Sequence, residues 1–371
     1  MKVPFYDATR EYARYWAEFD AAIAAVAMSG KFILGEEVSL FEEEIKAYTG
    51  AKYAVGTGNG SDALVIASDI LGYKDADVLT PVFTFFASAS CIARIGGRPV
   101  FVDVDEDTFC MDMGDAERRL TKNTRGIIPV HLFLQTAGMA SCMALAERYG
   151  LTVLEDAAEA FGMKALYKNE YRHAGTIGDF GVFSFFPTKT LGGYGDGGMI
   201  VTNREELYQK AKSFRVHGAG RKYHHDYIGY NSRLDTLQAA VLRVKLAHID
   251  NAIRERARHA AHYRELLKDI PEVKLPEAKG DAKEVCYVFC IQAENRDGLE
   301  ACLKEKGVGT SIYYPVPLHL QKCFDYLGYK KGDFPAAERL CGTVLALPMF
   351  PELTEDEVDF VCESVKGFYK K

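Results

Sequence analysis

The sequence has no long hydrophobic run and no excess of positive charge. No segment of its 371 residues approaches the roughly 20 apolar residues that a membrane-spanning helix needs. The net charge of -7 argues against nucleic acid or an anionic membrane as the main partner, because both require a basic face. The first residues also lack the charged and apolar regions of a secretory signal, so we expect a cytoplasmic protein.

Paired cysteines and metal-type histidine spacings are missing as well. The nine cysteines include no Cys-x-x-Cys pair, which favours free thiols in a reducing compartment. The adjacent His224 and His225 would point to opposite faces of a strand and suit one metal ion poorly. We therefore expect no metal site.

Apolar strand-like runs alternate with amphipathic helical segments through the first 250 residues. The predicted strands are residues 53–56, 77–80, 99–104, 126–130, 152–156, 181–186 and 199–202. This alternation predicts an α/β fold with a mostly parallel central sheet flanked by helices. A long helical stretch, residues 234–267, leads to predicted strands 285–293 and 309–314 and helices 295–306 and 355–366. We therefore expect a large α/β domain at residues 1–245 and a smaller C-terminal α+β domain at residues 246–371.

Lys189 follows an apolar strand and precedes five glycines within the seven residues 192–198. Glycines allow the backbone to approach a ligand closely, and the apolar neighbours of Lys189 should disfavour the charged form of its amine. The pattern fits an amine that forms an imine with a carbonyl ligand. It fits equally a solvent-exposed lysine in a glycine-rich loop.

Asp156 ends the predicted strand 152–156, and ligands of open α/β sheets bind at the carboxyl ends of strands. A carboxylate there can pair with a protonated pyridine nitrogen. An aspartate that caps the next helix is the alternative interpretation. The position of Asp156, 33 residues before a glycine-framed lysine, favours the first.

A glycine turn, residues 56–61, leads into a predicted helix for which Ser61 is the expected N-cap. Free amides and the positive end of the helix dipole suit a phosphate there, although a turn without a ligand has the same pattern. Because Ser61 stands where Gly-x-Gly-x-x-Gly needs its last glycine, a nicotinamide site is the weaker interpretation.

Two further segments allow more than one interpretation. Phe85 belongs to an aromatic cluster at residues 83–86 and could stack on a flat ring or fill the core. The basic loop at residues 215–225 suits either an anion pocket for substrate phosphates or a solvated surface.

Taken together, these motifs resemble the DegT/DnrJ/StrS family of nucleotide-sugar aminotransferases. Its members are fold-type I enzymes that use pyridoxal 5'-phosphate (PLP) to aminate keto sugars carried on nucleoside diphosphates. The resemblance runs nearly end to end, and its most specific segments are residues 155–158, 184–189 with 195–198, and 231–240.

The resemblance implies a role for each matching residue. Lys189 would hold PLP through an imine and then move protons, and Asp156 would pair with the pyridine nitrogen. The other implied cofactor contacts are Phe85 on the ring, Glu159 beside the phenolic oxygen, Gly60, Ser61 and Ser184 at the phosphate, and Asn231 at the phosphate of the partner subunit's cofactor. The implied substrate contacts are His217, Tyr314 and His319. A homodimer with shared active sites follows from the role of Asn231.

The chain departs from the family pattern at two places. Glu159 stands where the family often has Gln, and it must be protonated or turn away if the phenolic oxygen is ionised. Leu134 and Thr136 replace a usual Gly and Pro, which affects the shape of a loop near the substrate.

The resemblance implies transfer of an amino group from an amino acid, glutamate in our expectation, to a nucleotide-linked keto sugar. The Asn-Ser-Arg-Leu-Asp sequence at residues 231–235 is more similar to members that aminate C3. Amination at C4, a PLP-fold binding or sensing protein without turnover, and a nicotinamide-dependent sugar enzyme are the alternatives.

Overall fold

The computed structural model of the chain describes residues 1–277 and 285–370. The helices are α1 (Ala8–Ser29), α2 (Glu36–Thr49), α3 (Gly60–Ile70), α4 (Ala87–Arg94), α5 (Met113–Arg118), α6 (Met139–Tyr149), α7 (Glu205–Phe214), α8 (Thr236–Ala247), α9 (Ile249–Leu267), α10 (Arg296–Glu305), α11 (Pro335–Thr343) and α12 (Glu355–Tyr369). The strands are β1 (Tyr53–Thr57), β2 (Asp77–Pro81), β3 (Arg98–Val102), β4 (Thr124–Ile127), β5 (Thr152–Asp156), β6 (Lys164–Tyr167), β7 (Glu170–His173), β8 (Phe180–Ser184), β9 (Gly198–Thr202), β10 (Ala219–Arg221), β11 (His224–His225), β12 (Val273–Lys274), β13 (Phe289–Ala293) and β14 (Val344–Leu347).

The central sheet has the strand order β1-β9-β8-β5-β4-β2-β3. Strand β9 runs antiparallel to both of its neighbours, and every other neighbouring pair is parallel. The prediction of a mostly parallel sheet flanked by helices is therefore confirmed.

Helices cover the sheet on both faces, which is why its strands consist of nearly continuous apolar residues. Successive side chains of a strand point to opposite faces. Val182 accordingly belongs to the core that contains residues of α3, α4 and α7, whereas Phe183 belongs to the core formed with α2 and α8. This two-sided burial holds the carboxyl ends of the strands rigidly in place.

A second, antiparallel sheet has the order β12-β13-β14. Its hydrophobic core includes Phe289 together with Tyr263 of α9 and Val361 of α12. Val3 packs into the same core and bridges to Val308, so the first residues of the chain lie against its C-terminal part. The domain boundary between residues 245 and 246 stays a prediction.

The predicted single helix over residues 234–267 is wrong, because α8 and α9 meet at His248. The backbone of His248 leaves the helical region, with φ -107° and ψ 3°. Its ring stacks on Tyr15 with centroids 4.0 Å apart, and its Nε2 lies 3.0 Å from Glu18. These contacts with α1 stabilise the break.

The predicted strand at residues 309–314 is also wrong, since only Ser311 makes an isolated bridge, to Ala346. In the described parts of the chain, no helix combines the length and the apolar character that crossing a membrane requires. The same residues hold no group of three or more potential ligands arranged for a metal ion and no disulfide bond.

Candidate active site

A cavity of about 540 Å³ lies at the carboxyl ends of β1, β2, β4, β5 and β8. Loops that follow these strands form most of its wall, and residues of the C-terminal part complete it. The lining residues are Asn59, Gly60, Ser61, Leu64, Thr84, Phe85, Ala87, Val130, Leu132, Asp156, Ala158, Glu159, Ser184, Phe186, Thr188, Lys189, Asp196, Tyr287, Ile312, Tyr313 and Tyr314. The edge of an open α/β sheet at which its strands end is where such folds bind ligands.

Most of the site residues predicted from the sequence line this cavity. They are Gly60, Ser61, Phe85, Asp156, Glu159, Ser184, Lys189 and Tyr314. The remaining three, His217, Asn231 and His319, are not among its lining residues. The structure thus brings together residues from five loops, while their chemical roles stay predictions.

Lys189 projects into the cavity from the loop after β8, with 15% of its side chain exposed. Its Nζ lies 3.1 Å from Oε1 of Glu159 and 4.5 Å from the centre of the Tyr287 ring. The interpretation of Lys189 as a surface lysine does not fit this position. The amine is enclosed, and it faces a carboxylate and an aromatic ring.

The expected effect of burial, which disfavours the charged form of Lys189, is present but is outweighed by Glu159. Burial alone would lower the pKa of the amine, but the negative charge and hydrogen bond of Glu159 raise the pKa above its ordinary value. Phe183 and Phe185 are buried in the core under α2 and α8, so the nearest polar groups determine the charge. The contact with Glu159 therefore favours the ammonium form of Lys189.

Asp156 is the last residue of β5 and is only 4% exposed. Its Oδ2 accepts a hydrogen bond of 2.6 Å from the hydroxyl of Ser88, and its Oδ1 accepts one of 3.2 Å from the amide of Ala158. Burial raises the pKa of this carboxyl group despite both hydrogen bonds. Asp156 thus supports the local turn and also presents a buried acid to the cavity.

The glycine turn after β1 leads into α3 as predicted, but the cap residue differs. Asn59, not Ser61, is the N-cap, and its side chain accepts the amide of Asp62 at 2.8 Å. Gly60 and Ser61 are the first helical residues, so their amides lie at the positive end of the helix dipole, and both residues line the cavity. Asn59 is also a lining residue that the sequence did not single out.

Gly60 packs directly against Ser184, another predicted phosphate contact. A Cβ atom at Gly60 would lie 2.8 Å from Cβ of Ser184, closer than side chains normally approach. A side chain here would push apart the turn after β1 and the end of β8. The absence of a side chain therefore allows the two segments to meet at one place on the cavity wall.

The segment at residues 231–235 lies beside the same turn. Ser232 accepts the amide of Gly58 at 3.0 Å, and its hydroxyl donates to Asp62 at 2.8 Å. Asn231 itself is exposed and bridges to Val216. Ser232 was not singled out as a site residue, because only the fold brings it to a turn more than 170 residues earlier.

The basic loop does not present all of its charges to solvent. Arg215 is buried, forms an ion pair with Glu42 and donates to the carbonyl of Gly56 at 2.9 Å. This arginine supports β1 and is not available as part of an open anion pocket. His217 is exposed farther along the loop.

His319 is buried away from the cavity wall. Its Nε2 lies 3.1 Å from Glu338, and its ring packs against Phe334 with centroids 4.7 Å apart. Burial lowers the pKa of the imidazole even though Glu338 acts in the opposite direction. Its predicted contact with substrate stays a prediction.

Three tyrosines form the wall contributed by the C-terminal part. Tyr314 was predicted, whereas Tyr287 and Tyr313 were not. The Tyr314 ring lies 6.4 Å from that of Phe85, which is 56% exposed at the cavity mouth. The hydroxyl of Tyr287 lies 3.2 Å from that of Thr188, beside Lys189. The sequence offered no signal for Tyr287, which falls in a segment predicted only as strand.

Known proteins resemble this chain over its whole length. A pleiotropic regulatory protein of Geobacillus stearothermophilus is 46% identical, with 100% of this chain and 99% of that protein covered. A UDP-N-acetyl-3-dehydro-alpha-D-glucosamine 3-aminotransferase of Acidithiobacillus ferrooxidans is 40% identical over 96% of this chain and 95% of its own.

The crystal structure of DesV from S. venezuelae in complex with a ketimine intermediate superposes with a TM-score of 0.96 at 38% identity. The superposition covers 100% of this chain and 99% of DesV. Residues 14–366 match the model of the DegT/DnrJ/EryC1/StrS aminotransferases. The chain therefore belongs to the DegT/DnrJ/EryC1/StrS aminotransferase family.

Proposed function

We propose that this protein is a PLP-dependent aminotransferase that moves an amino group from glutamate to C3 of a nucleotide-linked keto sugar. The observation that carries the proposal is the presence of Lys189 and Asp156 in one cavity, at the ends of the neighbouring strands β8 and β5. The name of the relative from Acidithiobacillus ferrooxidans supports C3 of a UDP-sugar as the position that is aminated.

The chemistry of the residues around the cavity fits PLP. Asp156 is a buried carboxyl group whose pKa is raised by burial even though its hydrogen bonds and the charge of Lys189 lower it, and a pyridinium nitrogen would supply a further positive charge. The amides of Gly60 and Ser61 at the start of α3 suit the phosphate. The exposed ring of Phe85 offers a face for stacking.

When bound, PLP supplies an electron sink for the pair of electrons released as a C–H bond next to nitrogen breaks. In our proposal Asp156 holds the pyridine nitrogen in its protonated state, because a buried anion strongly favours a nearby cation. Ser88 and Ala158 orient the carboxylate of Asp156 by their hydrogen bonds.

Lys189 is the residue that we assign to proton transfer. Its Nζ is the one amine among the described residues that line the cavity. As a neutral amine it would take the proton from Cα of glutamate, and as an ammonium it would deliver a proton to C3 of the sugar. Glutamate leaves as 2-oxoglutarate before the keto sugar enters, which makes the reaction ping-pong.

The remaining expectations complete the proposal. Tyr314 contacts the sugar nucleotide from the C-terminal wall. His217 and His319, which do not line the cavity, stay predicted contacts of the same substrate. Asn231 reaches the cofactor phosphate of a second subunit, so the working form is a homodimer. Two observations support the assignment of Asn231. Its side chain is exposed, and the adjacent Ser232 contacts the turn before α3. A cytoplasmic location is supported by cysteines that form no disulfide in the described residues.

The test is a pair of half-reactions with purified protein and PLP. Glutamate should give 2-oxoglutarate, and a UDP- or dTDP-linked 3-keto sugar should then be converted to the amino sugar, which mass spectrometry detects. Amination of a 4-keto sugar but not a 3-keto sugar would overturn the assignment to C3. A Lys189→Ala variant that aminates the sugar at the normal rate would overturn the mechanism.

A further inference from the structure

Glu159 is anchored at both oxygens of its carboxylate. Oε1 lies 3.1 Å from Nζ of Lys189, and Oε2 accepts a hydrogen bond of 3.1 Å from the amide of Phe133. The side chain is 6% exposed. A carboxylate held in this way at a cavity wall has a fixed direction, and that direction is toward the lysine.

The backbone of Phe133 is itself held in place. Leu132 and Gln135 exchange two backbone hydrogen bonds, of 3.0 and 2.9 Å, which close a tight turn around Phe133. Phe133 adopts a left-handed conformation with φ 60° in this turn, and its ring is fully buried in the core. If Glu159 swung away, the buried amide of Phe133 would lose its acceptor, which costs about 1–3 kcal/mol.

Tyr287 forms the other side of the place occupied by the amine. The centre of its ring lies 4.5 Å from Nζ of Lys189, at a distance where an aromatic face attracts an ammonium. The hydroxyl of Tyr287 lies 3.2 Å from Oγ1 of Thr188, the residue before Lys189. Glu159 and Tyr287 therefore hold the amine between an anion and a ring, and both contacts favour its charged form.

We propose that Glu159 is a positioning residue that, with Tyr287, holds Lys189 as an ammonium in a fixed place in the cofactor-free protein. The inference rests on the proposed function, in which Lys189 alternates between a bonded and an unbonded state. The inference also explains why this chain has Glu159 where the family often has Gln. Its carboxylate is turned toward Lys189.

The charges around the amine support this assignment. Of the described residues that line the cavity, Lys189 is the one cation, and the carboxylates are Asp156, Glu159 and Asp196. The other titratable groups on the wall are the phenols of Tyr287, Tyr313 and Tyr314. Glu159 is the only one of these carboxylates in hydrogen-bond contact with Nζ. The amine reacts only after an N–H proton leaves Nζ, and Oε1 of Glu159 is the adjacent acceptor.

The test measures the reactivity of Lys189 in the full chain after removal of the cofactor. Brief acetylation with acetic anhydride from pH 6 to 11, followed by peptide mass spectrometry, reports the neutral amine at each lysine. The exposed Lys52 is the internal reference. In the wild type, Lys189 should reach half-maximal labelling at a higher pH than Lys52.

In Glu159→Gln the attraction is removed while burial remains, so the midpoint for Lys189 should fall by at least one pH unit. Labelling at pH 8 should rise about tenfold or more, since one pH unit corresponds to a tenfold change in the neutral fraction. Glu159→Asp should restore part of the wild-type behaviour. Asp196→Asn removes a cavity carboxylate that lacks this hydrogen bond and should leave the labelling of Lys189 within about twofold of the wild type.

Equal labelling curves for the wild type and Glu159→Gln would overturn the inference. If Glu159→Gln does not fold, as judged by circular dichroism, unchanged labelling in Glu159→Ala, which also lacks the carboxylate, overturns it instead. The two proposals fail separately, because acetylation requires no turnover. A shifted labelling curve in a protein that aminates no keto sugar would contradict the proposed function and leave the role of Glu159 intact.

Discussion

The hydroxyl of Ser88 donates a hydrogen bond of 2.6 Å to Oδ2 of Asp156, across 68 residues of sequence. Both residues are buried, and Oγ1 of Thr84 lies 3.1 Å from the same hydroxyl. The contact joins the start of α4 to the end of β5. It opposes the effect of burial on Asp156, because the hydrogen bond lowers the pKa that desolvation raises.

Ser88→Ala should therefore lower kcat/KM most at acidic pH. Loss of the donor lets the pKa of Asp156 rise further, so the carboxylate becomes protonated at a higher pH. A hydrogen bond to a charged group contributes about 1.5–3 kcal/mol, which predicts a roughly 10- to 100-fold loss of kcat/KM in mildly acidic buffer. A pH profile of kcat/KM measures the displacement of the acid limb.

Ser90→Ala is the matched control, since Ser90 belongs to the same helix but lies about 200° around it from Ser88. Its profile should coincide with that of the wild type. Coincident profiles for Ser88→Ala and the wild type would show that the hydrogen bond does not tune Asp156.

Asp156→Asn should stabilise the cofactor-free protein while it reduces activity. The folded-state pKa of Asp156 is raised, mainly by burial. The contribution of Asp156 to the free energy of unfolding is therefore fully present below its unfolded-state pKa. This contribution is lost as pH rises through the folded-state pKa. Asparagine is neutral at every pH and avoids this loss. The melting temperature of the variant should match that of the wild type near pH 3 and exceed it at pH 7.

Activity should fall by about 100-fold or more, because the buried charge that stabilises a cation in the cavity is removed. Differential scanning fluorimetry across pH, combined with kcat measurements, tests both effects. A variant that is less stable than the wild type at neutral pH would contradict the predicted cost of the buried carboxylate.

Gly60→Ala should weaken cofactor binding by about tenfold or more, equivalent to roughly 1.4 kcal/mol. The added Cβ would stand 2.8 Å from Cβ of Ser184, so α3 and the end of β8 must separate. An absorbance titration with PLP gives the Kd. Gly342→Ala is the control, because a Cβ at that helical position meets nothing within 4 Å.

The steric explanation predicts a specific rescue. Ser184→Gly removes the atom that the new methyl group would contact. The double variant should therefore lose less PLP-binding free energy than the two single variants lose together. Strictly additive losses would mean that Gly60 acts through something other than this contact.

The strands of the central sheet could be predicted because they are buried on both faces and consist of short apolar runs. Strand β2, for example, is buried at all five positions. Helix α1 was missed because few of its side chains enter the core: only Phe19 and Val26 among its 22 residues are buried. The break at His248 was missed because its cause is a tertiary contact with Tyr15.

The cavity residues that could be predicted lie in segments with a recognisable local sequence pattern. Lys189 precedes a run of glycines, and Gly60 lies in a glycine turn. Ser88 and Tyr287 carry no such signal, and they reach the site through contacts across 68 and 99 residues. The opposing effect of Glu159 on the pKa of Lys189 was missed for a similar reason. The direction of Glu159 depends on the amide of Phe133, which the sequence places 26 residues away.

Glu155, the residue before Asp156, is predicted to stabilise the junction between β5 and the segment that precedes β8. Its fully buried carboxylate accepts the amides of Gly175, Ile177 and Gly178 at 2.6–2.8 Å. It also lies 3.0 Å from Nε2 of His131. Because the amide of Ala137 donates to Nδ1 of His131, Nε2 carries the proton and donates to Glu155. Four donors thus converge on two oxygens.

Glu155→Gln should lower the free energy of unfolding by about 3–5 kcal/mol, since a single amide oxygen replaces two acceptors and an NH2 group then faces buried donors. Urea titration followed by circular dichroism measures the loss. Glu117→Gln is the control. That carboxylate is 42% exposed and pairs with Arg148, so its loss should cost no more than about 1 kcal/mol. Equal unfolding midpoints for Glu155→Gln and the wild type would mean that the four converging donors add no net stability.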